Sequence, residues 1–108
     1  MSLRALVLVV LCLPCLSVAT EIDKTGLLVA ENWGLVKAHC TVCHSAKLVT
    51  QNRMSRDGWR DTITWMQKKH NLWDLGVHQE KVLDYLEAHY GTRALQQIRR
   101  RNLAVQNK

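Results

Sequence analysis

The chain has 108 residues, of which 47% are hydrophobic and 22% charged, with a formal net charge of +6. A chain of this length holds one small domain, and its apolar content excludes disordered and fibrous classes. Nine basic residues balance nine acidic ones between Thr20 and Gly91, so the positive excess sits at the two ends and not on the expected domain.

Ser2 to Arg4 form a short charged region, Ala5 to Leu16 an apolar run broken by Pro14, and Ser17-Val18-Ala19 offers small residues. This order is that of a secretory leader, expected to occupy 1–19 and to be cut after Ala19. The apolar run is short for a membrane span, which needs roughly 20 residues. Cys12 and Cys15, neither preceded by a small residue, are expected to leave with the leader, so that the mature chain keeps Cys40 and Cys43.

Glu31 or Asn32 can begin a first helix that runs through Trp33, Leu35 and Val36 into His39 and Cys40. At its end stands Cys40-Thr41-Val42-Cys43-His44, and C-x-x-C-H is the attachment sequence of covalently bound c-type haem. Two thiols at this spacing can each add to one vinyl group of a porphyrin, while the adjacent histidine reaches the iron from a fixed side. Other uses of the pair fit less well. A disulfide would close a very small loop and stabilise little. Zinc would need two further ligands from His39, His70, His78 or His89, none at paired spacing. A redox dithiol belongs with alternating strands and helices, a pattern missing from this chain.

Ser55 suits the N-cap of a second helix, with Asp57 in its first turn where negative charge favours the dipole. Trp59, Ile63 and Met66 recur at i, i+4 and i+7 and share its inner face. A third helix starts between Val77 and Glu80, turns Val82, Leu83, Leu86 and Tyr90 inward, and is expected to end at Gly91 in the left-handed conformation. Trp33, Trp59, Trp65 and Trp73 supply aromatic surface for a core or a porphyrin. The tail, 92–108, contains Arg93, Arg99, Arg100, Arg101 and Lys108 and no acid. The plain expectation for it is a frayed, solvated end. As a helix it would place Leu95, Ile98 and Val105 on one face, interrupted by Asn102, and could meet an acidic partner or anionic lipid.

These elements resemble the small monohaem c-type cytochromes over about Asn32 to Gly91, the five-residue motif being the specific part. The resemblance implies an all-α fold, three to four helices wrapped around one covalently bound haem c, with the haem domain spanning 20–91. It makes Cys40 and Cys43 the thioether residues and His44 the proximal iron ligand through Nε2, its other ring nitrogen donating to a backbone carbonyl. It also implies a distal ligand, and methionine is the usual one in electron transfer. Met66, on the face of Trp59 and Ile63, is the choice; Met54 and His70 remain open, and Met66 could also simply fill core space. His70 lies in the polar stretch Gln67-Lys68-Lys69-His70, and His39 is expected to be exposed near the haem edge.

Longer strings narrow the likeness. His39 to Ser45, Leu48-Val49-Thr50-Gln51, Trp59, Ile63-Thr64-Trp65-Met66-Gln67 and Leu83-Asp84-Tyr85-Leu86 resemble the periplasmic cytochromes that accompany molybdenum-cofactor oxidoreductases of the sulfite dehydrogenase type. That resemblance implies a periplasmic electron-transfer protein, itself not an enzyme, with a partner dehydrogenase as donor and a downstream acceptor. The alternative is a haem catalyst or gas sensor with an open distal position. Nucleic acid is not an expected partner of an exported haem protein.

Overall fold

The computed structural model describes residues 19–106, and the leader reading over 1–18 lies outside them. Helix α1 is Trp33–Cys40, α2 the single turn Lys47–Thr50, α3 Arg56–Lys69, α4 Gln79–Tyr90 and α5 Thr92–Gln106. A 3-10 turn, Gly76–His78, leads into α4. There are no strands among the described residues; Ile22 and Leu28 form one isolated antiparallel bridge. The fold is all-α, with four helices of eight or more residues.

The expected helices form, each for a local reason. The Ser55 hydroxyl accepts from Gly58 N at 3.1 Å and caps α3, with Asp57 in the first turn. Helix α1 starts after Asn32, which holds φ at 66° and caps through its backbone alone. Asparagine tolerates that left-handed conformation better than most residues. Helix α4 packs against α1 and α3, and Val82, Leu83, Tyr85, Leu86 and Tyr90 are buried along it. Trp59 and Ile63 meet them from α3, with Val36 and Cys40 from α1 and Val49 from α2.

Gly91 departs from expectation. Its backbone is extended, with φ −89° and ψ 168°. Glycine is required there by close approach: a Cβ on Gly91 would lie 2.1 Å from the Glu87 carbonyl oxygen. The chain therefore bends tightly against the end of α4 and resumes as α5. The tail up to Gln106 is helical and not frayed, although its side chains other than that of Ala94 are exposed.

The segment before α1 is strapped to α4. Leu28 N donates to the Tyr90 hydroxyl at 3.1 Å and Leu28 O accepts from the Tyr85 hydroxyl at 2.7 Å, while Leu27 is fully buried. Asp23 shapes this segment: Oδ1 accepts from Thr25 N and Leu27 N at 2.8 and 3.2 Å, and Lys37 Nζ of α1 lies 3.1 Å from Oδ2. These partners, the Thr25 hydroxyl foremost, hold its carboxyl at about 2 against the opposing effect of burial. The unfolded carboxyl titrates near 3.8. Between these values the unfolded chain binds more protons, so the stabilisation from Asp23 is whole above the upper value and lost as pH falls to the lower. Asp23→Asn should flatten the pH dependence of stability across that window. Acid titrations followed by circular dichroism check this, and parallel curves for variant and parent would count against it.

Candidate haem-attachment site

A cleft of about 280 Å³ opens between the end of α1, the turn α2 and the inner face of α3. Its walls include Leu48, Val49, Trp59, Ile63 and Leu86, with Cys40, His44, Met54 and Met66 among them. A smaller depression of about 40 Å³ lies beside it, bounded by His39, Cys40, Cys43, His44, Met66, His70 and Leu72. Cys40, His44 and Met66 line both, so the boundary between the two spaces runs through these three residues.

The two cysteines differ in setting. Cys40, in the last turn of α1, is 8% exposed, and burial pushes its thiol up to about 11. Such a thiol is protonated at neutral pH and a poor redox nucleophile. Cys43 is exposed, and the two thiols are free. His44 sits half-buried after them, its Nδ1 3.0 Å from Ser45 O. A carbonyl only accepts, so Nδ1 carries the proton and Nε2 keeps its lone pair for a metal. Nε2 makes no hydrogen bond among the described residues.

The methionines also divide. Of these two spaces Met54 lines the larger cleft and not the smaller depression; its sulfur stands 3.5 Å from the Thr62 hydroxyl, which bonds better to Gly58 O at 2.8 Å. Met66 packs on the core and borders both spaces, one and two helical turns beyond Ile63 and Trp59. His70 reaches only the smaller depression, is exposed, and packs against Trp65 with ring centroids 4.4 Å apart. Two further histidines line neither space: His89 lies against Tyr85, and His78 against His39.

No protein-family model matches this chain, and no curated protein or solved structure is detectably similar to it.

One contact at the rim has no sequence signal. Trp73 Nε1 donates to His39 Nδ1 at 2.8 Å, and His39 Nε2 lies 3.2 Å from His78 Nδ1. With Nδ1 accepting, neutral His39 carries its proton on Nε2 and donates it to His78. Burial, and then repulsion by His78, lower the His39 pKa and favour that neutral form. The chain of three rings fastens the loop between α3 and α4 to the residue preceding Cys40. His39 is thus half-buried and engaged, where an exposed ring was expected.

The donor set suits a porphyrin better than a bare ion. Among the described residues no three His, Cys, Asp or Glu side chains converge as a protein-only metal site requires. The His44 imidazole with its free Nε2, the thioethers of Met54 and Met66, two free thiols and aliphatic and indole walls offer what a covalently held haem would use.

Proposed function

We propose that this protein carries single electrons through one c-type haem, attached by thioether bonds at Cys40 and Cys43 and ligated by His44 and Met66. The observation that carries the reading is the shared lining: His44 from the loop after α1 and Met66 from α3 border the same two spaces as Cys40. Haem iron would supply the one-electron couple. The chain's own residues do the rest. Cys40 and Cys43 fix the position of the porphyrin edge, and the bond from His44 Nδ1 to Ser45 O sets the tautomer and the plane of the ring. Met66 would supply a thioether ligand to the iron, which suits electron transfer better than a catalyst or sensor with an open iron. Val49, Ile63 and Leu86, all buried, give that centre an apolar wall.

The leader over 1–19 and the longer residue strings extend the proposal to an exported, periplasmic carrier whose donor is a molybdenum-cofactor dehydrogenase of the sulfite dehydrogenase type. Expression with a haem-attachment system tests the core of it. The purified chain should gain the mass of one haem that acidified organic solvent does not extract. Cys40→Ala combined with Cys43→Ala should abolish that gain. A chain that stays at its apoprotein mass, or releases its haem to solvent, would refute the proposal.

A further inference from the structure

Helix α5 has an organised surface that the domain does not use. Its first turn is tied to α4, with Arg93 3.3 Å from Glu87, but every side chain from Leu95 to Gln106 is exposed. At helical spacing Ala94, Val105, Ile98 and Leu95 fall within an arc of about 100°, with Asn102 inside it. Arg101 borders one edge of that stripe and Arg99 the other, while Arg93 and Arg100 occupy the opposite face. No acidic residue occurs anywhere in α5.

We propose that α5 lies flat on an anionic lipid surface, its apolar stripe turned into the headgroup boundary and Arg99 and Arg101 reaching phosphates on either side. Charge and shape both favour this occupant. Four arginines without an acid complement a negative surface, and the balanced charge between Thr20 and Gly91 does not oppose approach. The stripe lacks aromatic anchors and is interrupted by a polar residue, so a shaped protein groove would find little to grip. A bilayer surface accepts any apolar face flanked by cations, and binding then follows buried area plus charge. No helix of the described residues is long and apolar enough to cross a membrane, so the contact is peripheral. This inference does not depend on the haem.

Sedimentation of the full purified chain with vesicles tests it. Vesicles of phosphatidylcholine and phosphatidylglycerol in equal parts should carry the protein down at low salt and release it at high salt, while phosphatidylcholine alone should not retain it. Each basic residue near such a surface is worth about fivefold in binding, so replacing Arg99 and Arg101 together with glutamine should weaken it roughly twenty-five-fold. Ile98→Asp should weaken it with all four arginines present, and since Ile98 is exposed the domain should fold normally. The proposal is overturned if the full chain ignores anionic vesicles at low salt, if the arginine variant binds as well as the parent, or if Ile98→Asp changes nothing. Self-association through α5 in place of vesicle binding, seen by light scattering, would also overturn it.

Discussion

Met66→Leu should leave the fold and the thioether attachment intact and open the sixth position of the iron. Leucine matches methionine in volume, and such exchanges usually cost less than about 1.5 kcal/mol, so the variant would keep the packing of this side chain on the core and lose only the sulfur. On the proposed ligation, the reduced parent should bind carbon monoxide slowly and the variant should bind it at once. The midpoint potential should fall, because a thioether ligand raises it. Parallel variants Met54→Leu and His70→Ala should alter neither property. Of the two spaces Met54 borders the larger and His70 the smaller, whereas Met66 borders both. If Met66→Leu has the spectra and potential of the parent, the ligand is one of the other two, and the same measurements on them decide which.

Trp59→Ala should be the most damaging single substitution in the domain. Trp59 is 4% exposed, lines the cleft, and donates from Nε1 to Tyr90 O at 3.0 Å. Truncation of a buried tryptophan costs about 3–5 kcal/mol. Small domains have only about 5–15 kcal/mol in total, so the substitution should remove a large share of the stability, read as a large drop in the urea midpoint. Trp59→Phe separates the contributions. It keeps most of the volume and removes the hydrogen bond, but Tyr90 O still accepts from Met54 N at 3.2 Å. With that carbonyl satisfied, the loss should be about 1 kcal/mol, read as a modest shift in the urea midpoint. A loss for phenylalanine equal to that for alanine would show that the indole serves mainly as a donor.

What is legible in the residues is what local chemistry governs. The Ser55 cap, the i, i+4, i+7 face of α3 and the inward row of α4 depend on neighbours a few positions away, and the structure has all three. Cys40, Cys43 and His44 are recognisable from spacing alone. The features that escape a sequence reading depend on residues far apart in the chain. Nothing near Leu28 announces that both its backbone groups bond to tyrosines of α4, and nothing near His39 announces Trp73. Gly91 does stand at the end of α4 but for a different cause from the one expected, because crowding against Glu87 O leaves no trace in a single sequence. The tail is ambiguous for another reason: its apolar stripe is weak, and the helix buries none of it.

The tyrosine strap also sets an order of events in time. Its two bonds join Leu28 to residues 57 and 62 positions later, so they cannot form until Tyr85 and Tyr90 have followed Leu28 out of the ribosome or across a membrane. Contacts of such sequence separation form late, because the intervening chain must first be closed into a loop. Cys40, buried in the finished domain, belongs to that loop and stays accessible until it closes, whereas Cys43 is exposed in the finished domain as well. On the proposed reading, chemistry at the Cys40 thiol therefore belongs to the chain's unfolded interval, and a sequence that folded faster would leave that thiol less time to react.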